Sequence, residues 1–162
     1  MNNSYQKTAI LHLLILIFCG QTFAQNKTSK EILWTAAWSP NGKYFAIGGN
    51  TDTLKIYSEK TLKVFKSFPI KSTITRIQWH PSQNRIAVGT QISQDKTSII
   101  NLDTNERIIL SGISPDGARG LDWNHNGAYL AVADNDGQIL IYDTEGTLIR
   151  KFNNENTKSI TA

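Results

Sequence analysis

Residues 38–49 read WSPNGKYFAIGG, and the chain repeats this frame as WHPSQNRIAVGT at residues 79–90 and as WNHNGAYLAVAD at residues 123–134. Each copy consists of a tryptophan, a tight polar turn and a short apolar run. The tryptophans lie 41 and then 44 residues apart. Self-similarity at a fixed period of this length is typical of stacked repeat architectures. The frame therefore predicts a repeat fold before any single strand is assigned.

Each repeat predicts four short antiparallel strands joined by hairpins. In the first frame, Pro40 presets its own φ to about −65°, as the first corner of a turn requires, and Gly42 tolerates the positive φ that follows. Asn-Gly at residues 126–127 and Asp-Gly at residues 136–137 are strong hairpin signals between apolar runs. After each frame the repeat continues with a third run (54–57, 98–102 and 139–142) and a more polar fourth run (62–65, 107–110 and 148–152).

The faces of these strands indicate how the repeats pack. Residues 138–142 read QILIY, so the strand is apolar on both faces. A small antiparallel sheet that is buried on both sides must lie between similar sheets, and the radially stacked blades of a β-propeller supply that environment. A β-sandwich is the alternative, but it requires no fixed period.

The predicted fold class is all-β, namely a β-propeller of four-stranded antiparallel blades. The period predicts an incomplete ring of three blades plus the start of a fourth. The blades are expected at about residues 32–70, 72–112 and 117–153, and the next blade at 156–162.

The three units resemble WD repeats, a family with a period of about 40–45 residues and four strands per blade. Residues 136–143, DGQILIYD, are similar to the family's turn aspartate followed by its Trp-Asp ending, with a tyrosine in place of the tryptophan. The resemblance implies structural roles for the repeat positions Trp38, Trp79, Trp123, Asp136 and Asp143. Residues 38–47, WSPNGKYFAI, also resemble the repeats of Tol-type periplasmic propellers. Both resemblances imply a propeller that binds other proteins or peptides.

The first 24 residues predict a secretory signal peptide. A polar segment with one positive charge precedes an apolar run at residues 9–19, and small residues at Thr22 and Ala24 mark the cleavage site. The apolar run is too short to span a membrane, which takes about 20 residues. We therefore expect an exported protein, periplasmic or secreted, with a linker at residues 25–31 and no membrane span after cleavage. A lipid anchor on Cys19 is the alternative.

Three blades do not close a ring, since propellers typically have four to eight. The period would place a fourth tryptophan at about position 165, beyond the chain. We expect a fragment of a longer propeller, and the alternative is self-association of several copies into a closed ring.

The sequence does not predict a catalytic, cofactor or metal site. His80 and His125 occupy equivalent turn positions in separate repeats, and the only cysteine lies in the leader. The glycines at residues 48–49 end a strand and do not open a helix, as a phosphate loop would. The basic stretch at residues 60–76 is interrupted by Phe, Val and Ile and predicts a solvated outer strand, not the basic face with interleaved stacking aromatics expected of a nucleic-acid surface. We predict a non-catalytic protein-interaction scaffold; a Tol-like or enzyme-bearing propeller whose catalytic or partner domain lies beyond residue 162 is the alternative.

The resemblance to WD repeats also implies where partners bind. In that family partners dock on the face formed by the loops before the first strands and between the second and third strands. Trp34, Thr75 and Arg119 occupy one ring of repeat-equivalent positions on this face, and Asn135 approaches it. Tryptophan and arginine are enriched at binding hot spots. These four residues are the predicted partner-binding set.

Overall fold

The computed structural model describes residues 30–91 and 95–153, and these residues form three four-stranded antiparallel sheets. The first blade comprises β1 (Leu33–Trp38), β2 (Tyr44–Gly49), β3 (Thr53–Ser58) and β4 (Val64–Pro69). The second comprises β5 (Thr73–Trp79), β6 (Arg85–Gln91), β7 (Ser98–Asn101) and β8 (Arg107–Ile109). The third comprises β9 (Ala118–Trp123), β10 (Tyr129–Asp134), β11 (Gln138–Asp143) and β12 (Leu148–Asn153). In each blade the strands pair in sequence order, so the predicted four-stranded blades are confirmed.

The repeat frame fixes the register of the first hairpin in every blade. Each frame tryptophan lies opposite the second residue of the second strand of its blade. The turn glycine adopts a positive φ where the frame contains one, 69° at Gly42 and 75° at Gly127. Glycine adopts such values without the steric cost that a Cβ would add. The opposed pairs are Trp38 with Phe45, Trp79 with Ile86, and Trp123 with Leu130.

The second blade is apolar on both faces because a blade packs on each side of it. Ile86 and Val88 belong to the core shared with the first blade, whereas Ala87 and Ile99 belong to the core shared with the third. All four side chains are completely buried. Consecutive residues of β6 therefore point into different cores, as the continuous apolar run predicts.

Polar side-chain contacts also cross both junctions. The Lys66 ammonium of the first blade donates hydrogen bonds to the Leu102 carbonyl and to the Asn105 side chain of the second. Arg85 of the second blade forms an ion pair of 3.0 Å with Glu145 of the third. The three blades thus form a continuous array with two apolar junctions.

The array does not close into a ring within the described residues. Trp38 is 60% exposed, whereas its equivalents Trp79 and Trp123 are 5% and 6% exposed. On the other end face, Ile139 and Phe152 of the third blade are also exposed. The predicted incomplete propeller is therefore observed. The predicted leader (1–24), most of the linker and the predicted start of a fourth blade (156–162) lie outside the described residues.

Candidate protein-binding face

Trp34, Thr75 and Arg119 share one local structure, a β-bulge in the first strand of each blade. At each position the pairing with the second strand skips one residue of the first strand. A bulge of this kind bends the strand and changes the direction of the side chain. The three residues predicted from the repeat period therefore occupy equivalent positions in the folded chain. The flanking pairs are Leu33–Gly49 and Thr35–Gly48, Ile74–Thr90 and Arg76–Gly89, and Ala118–Asp134 and Gly120–Ala133.

The three bulge side chains differ in their contacts. Trp34 is 48% exposed. The hydroxyl of Thr75 donates a hydrogen bond of 2.6 Å to the carbonyl oxygen of Ala118, which joins the second blade to the third. The hydroxyl at this position thus holds a blade junction, while the tryptophan presents apolar surface to solvent.

Arg119 and Asn135 lie in direct contact. The Nε atom of Arg119 donates to the Oδ1 atom of Asn135 at 3.0 Å. The side-chain amide of Asn135 donates in turn to the carbonyl of Asp116, and its backbone N–H donates to the carbonyl of Gly117 at 3.0 Å. Asn135 is fixed on both sides, so the guanidinium is held in one orientation.

The repeat tryptophans lie at the blade junctions. The Nε1 atom of Trp79 donates to the carbonyl oxygen of Ala37 in the preceding blade at 3.0 Å. Trp123 is buried at the next junction, where its ring meets the edge of His80 with 4.8 Å between ring centroids. Trp38, the first-blade equivalent, lies on the uncovered face. The tryptophan of the frame therefore contacts the blade before its own.

The cap of the β10–β11 turn is Asp134, and not Asp136 as the family resemblance implies. Asp134 is completely buried, and its carboxylate accepts hydrogen bonds from the backbone N–H groups of Ser114 (3.0 Å), Asp136 (3.1 Å) and Gln138 (2.8 Å). Asp136 contributes only its backbone to this network, and its side chain is exposed. The reason is the strand geometry, because the last residue of β10 points inward while the tip of the turn points to solvent.

Asp143 caps the turn between β11 and β12. Its Oδ1 atom accepts hydrogen bonds from the backbone N–H groups of Glu145 at 2.9 Å and Thr147 at 2.8 Å. Side chains of this type commonly stabilise a turn by accepting such bonds.

His80 is a buried link between the second and third blades. Its Nδ1 atom accepts hydrogen bonds from the backbone N–H groups of Ser82 and Gln83, so the proton lies on Nε2, which donates to the carbonyl oxygen of Gly127 at 3.0 Å. Burial lowers the pKa of His80 below its usual value, the bond to Gly127 partly opposes this effect, and the charge of Arg85 adds to it. The turn position was predicted, but the contact across the junction joins residues 47 apart and has no local sequence signal.

Within residues 30–91 and 95–153, no group of three or more His, Cys, Asp or Glu side chains could hold a metal ion. In the same part of the chain, no helix is long and apolar enough to cross a membrane.

The chain matches the family model described as the anaphase-promoting complex subunit 4 WD40 domain, over residues 15–82 and 105–162. It is 28% identical over 118 residues to minichromosome loss protein 1 of Schizosaccharomyces pombe, covering 67% of this chain and 14% of that protein. It is 28% identical over 123 residues to echinoderm microtubule-associated protein-like 2 of Rattus norvegicus, covering 71% of this chain and 17% of that protein. The chain thus spans less than a fifth of the length of these relatives.

A solved structure shares the fold. The crystal structure of the Cps50 (Swd1) β-propeller domain of Myceliophteria thermophila aligns with a TM-score of 0.71 at 14% identity. The alignment covers 82% of this chain and 44% of that chain. The described blades therefore correspond to slightly less than half of a known propeller chain.

Proposed function

The chain belongs to the family of the anaphase-promoting complex subunit 4 WD40 domain, and from this membership we propose that it is a non-catalytic protein-interaction scaffold. Its partners are proteins or peptides that bind the loop face around Trp34, Thr75, Arg119 and Asn135. The observation that carries this proposal is the β-bulge shared by the first three of these residues. Bulges are over-represented at sheet edges and next to active sites, where they redirect a side chain.

The residue types on this face support the same function. Trp34 exposes about half of its surface, and Arg119 is held by Asn135 through the 3.0 Å hydrogen bond. Large aromatic and arginine side chains contribute most of the binding energy at protein interfaces. A guanidinium that is already oriented loses less conformational entropy when it binds.

The proposal includes further blades beyond the three described here. The uncovered face of the first blade carries Trp38, Phe45 and Tyr57 as a row of rings, with centroids 5.2 Å and 5.1 Å apart. The equivalent residues of the other blades lie in the buried junctions. Burying an aromatic or large aliphatic side chain stabilises a protein by about 1.5–3 kcal/mol. Burial of these three rings would therefore strongly favour the packing of a further blade on this face.

The proposal also includes export by the leader at residues 1–24, with cleavage after Ala24. Peptide sequencing of the N-terminus of the protein isolated from its native cells tests this part. A mature chain that begins at Gln25 supports export, and a chain that retains the leader contradicts it.

Binding is tested by crosslinking and affinity capture from native extract with the unmodified chain, with Trp34→Ala and with Arg119→Ala. The control is Ile149→Ala, which removes another exposed apolar side chain on the outermost strand of the third blade. We expect at least one captured protein to be lost with both face variants and kept with the control. A set of captured proteins that neither face variant alters would contradict the proposal.

A further inference from the structure

The uncovered face of the third blade repeats a face that is buried in the first junction. Leu130, Leu140 and Tyr142 point into the core shared with the second blade, so the residues that alternate with them along β10 and β11 point to the uncovered side. These residues, with Phe152 on β12, form what we name the receiving face. By strand pairing its members match first-blade residues that pack against the second blade, namely Ala131 with Ala46, Ile139 with Leu54, Ile141 with Ile56 and Phe152 with Phe68. Ile139 and Phe152 are 37% and 45% exposed, so a face with the composition of a junction is open to solvent.

The uncovered face of the first blade repeats the opposite side of a junction. It carries Trp38, Phe45 and Tyr57, which we name the inserting face. The third-blade residues with the same strand pairings are buried against the second blade, and these are Trp123, Leu130 and Tyr142. The array thus presents at one end a face that packs into junctions and at the other end a face that accepts it.

A tyrosine hydroxyl bonds across the second junction, and both of its counterparts lie on the uncovered faces. The hydroxyl of Tyr142 donates to the carbonyl oxygen of Ser111 in the preceding blade at 2.5 Å. Tyr57 is the equivalent tyrosine of the first blade. The strand pairings place Asn153 of β12 at the position of Ser111. A donor at one end of the array therefore matches an acceptor at the other end.

The indole bond of the first junction has the same pair of counterparts. The Nε1 atom of Trp79 donates to the carbonyl oxygen of Ala37, the residue before the frame tryptophan of the preceding blade. Trp38 is the equivalent donor on the inserting face. The equivalent acceptor is the carbonyl of Asp122, which precedes the frame tryptophan of the third blade.

A basic side chain of the first blade also bonds a turn of the second. Lys66 donates to the carbonyl oxygen of Leu102. Arg150 is the third-blade equivalent of Lys66, because each pairs with the isoleucine at the same level of its third strand, and it is exposed. Glu59 is the first-blade equivalent of Leu102, because each lies three residues before a turn residue of positive φ. The receiving side therefore carries the donor of this contact, and the inserting side carries its acceptor.

We propose that two copies of the chain associate head to tail, so that the inserting face of each copy packs on the receiving face of the other. Three blades from each copy then form a closed ring of six, and propellers typically have four to eight. A contact between two different faces gives a closed ring when the rotation returns to its start. Tyr57 donates to the partner's Asn153, and Arg150 donates to the carbonyl of the partner's Glu59. This inference rests on the proposed function and names a second copy as the source of the further blades.

Lys55 is the charged side chain beside the inserting face. Its strand pairing matches that of Leu140, which lies with Leu110 in the core of the second junction. The receiving-face equivalent of Leu110 is Phe152. In the dimer the methylene stem of Lys55 lies along the Phe152 ring and its ammonium extends to solvent, as long cationic side chains do on apolar surfaces.

The test is analytical ultracentrifugation of the full chain over a range of concentrations. We expect a dimer with a Kd on the order of 1 μM. Phe45→Asp on the inserting face and Ile139→Asp on the receiving face should each raise this Kd at least about a hundredfold, because each places an unpaired charge in the contact. The matched control is Ile109→Asp, which adds the same charge at a 47% exposed position of the second blade and should leave the Kd unchanged. Circular dichroism verifies that each variant keeps the β-sheet spectrum of the unmodified chain.

Two further measurements identify the faces that meet. An equimolar mixture of the Phe45→Asp and Ile139→Asp chains should form a dimer that neither chain forms alone, because each chain retains the face that the other lacks. Tyr57→Phe removes only the hydroxyl and should raise the Kd about threefold to tenfold. Its control is Tyr44→Phe, since Tyr44 packs on the opposite side of the same blade.

Three results would overturn the inference. A single-chain mass at every concentration would leave other blades of the same polypeptide as the occupants of both faces. Association that neither aspartate variant weakens would assign the dimer to another surface. A mixture that stays dissociated would show that the two faces do not bind each other. The capture experiment with Arg119→Ala tests the loop face whether or not two copies associate, so failure of the dimer and failure of the proposed function are distinguishable.

Discussion

The indole Nε1 atom of Trp79 donates a hydrogen bond to the Ala37 carbonyl oxygen of the preceding blade, at 3.0 Å. The same indole is 5% exposed within the core between the first two blades. One residue of the repeat frame therefore combines an apolar contact and a polar contact across a blade junction. In the second and third blades the frame tryptophan is buried at the junction with the preceding blade, and Trp79 adds a hydrogen bond there.

Substitution of Trp79 by phenylalanine should destabilise the chain by about 2–4 kcal/mol. The change removes the hydrogen bond to Ala37, leaves that carbonyl without its partner, and opens a space in the core. The control is Trp38→Phe, because Trp38 is 60% exposed and its loss should cost less than about 0.5 kcal/mol. Urea unfolding followed by circular dichroism measures both values. Equal losses for the two variants would show that the junction does not depend on the tryptophan.

Substitution of Arg119 by alanine should weaken binding of a partner without lowering the melting temperature. The guanidinium makes one side-chain hydrogen bond, to Asn135, and that partner is also fixed through the Asp116 carbonyl and the Gly117 carbonyl. We expect at least a tenfold loss of affinity for a captured partner, the range of a hot-spot residue. Affinity is measured by calorimetry and stability by thermal unfolding. A lower melting temperature with unchanged affinity would contradict the assignment.

The repeat period allowed the fold to be predicted, but not the contacts between the blades. Trp38, Trp79 and Trp123 were placed correctly in their strands because period and turn chemistry are local features of the sequence. The Thr75–Ala118 and His80–Gly127 bonds join residues 43 and 47 apart, across a junction whose geometry exists only after the sheets form.

The candidate site was predicted only in part for the same reason. The period identified the ring of positions that the bulges occupy, but a bulge is a mismatch between two strands and leaves no signal in either strand alone.

Substitution of Asp134 by alanine should be much more damaging than the same change at Asp136. Asp134 is completely buried and satisfies three backbone N–H groups, so its removal leaves these donors buried and unpaired. We expect a loss of about 3–5 kcal/mol for Asp134→Ala. For Asp136→Ala, whose side chain is exposed, we expect a change within about 0.5 kcal/mol. Urea unfolding of both variants under identical conditions measures the difference in the free energy of unfolding. Similar losses for the two variants would contradict the assignment of Asp134 as the cap.

The stability of the chain should fall as the pH is lowered from 7 towards 5, with a contribution from His80. The unfolded histidine has a pKa of about 6.5, and burial lowers the pKa of His80 in the folded chain. Between the folded and the unfolded pKa, the unfolded state binds more protons than the folded state. The contribution of His80 to stability is therefore complete above the unfolded pKa and is lost as the pH falls through the folded pKa. Protonation would also prevent Nδ1 from accepting the hydrogen bonds of the Ser82 and Gln83 backbone N–H groups.

The pH dependence is assigned to His80 by comparing two variants. In His80→Gln the loss of stability between pH 7 and pH 5, measured by urea unfolding, should be smaller than in the unmodified chain. In His125→Gln, where the replaced side chain is exposed, the loss should remain unchanged. If both variants keep the full pH dependence, other groups cause it.

Substitution of Gly117 by alanine should destabilise the junction between the second and third blades. Gly117 has a φ of 85°, and a Cβ at this position would lie 2.0 Å from the carbonyl oxygen of Thr90. The backbone of the second blade would have to move, because the atom in conflict is main chain and cannot rotate away. Gly42→Ala is the matched control: its φ is 69°, but nothing lies within 4 Å of the added Cβ. The control therefore carries only the cost of the left-handed conformation, about 1–2 kcal/mol, and Gly117→Ala should cost at least about 2 kcal/mol more. Thermal and urea unfolding of the two variants separate these contributions. Equal losses of stability for Gly117→Ala and Gly42→Ala would show that Gly117 is required only for its positive φ, and not for the close approach of the two blades.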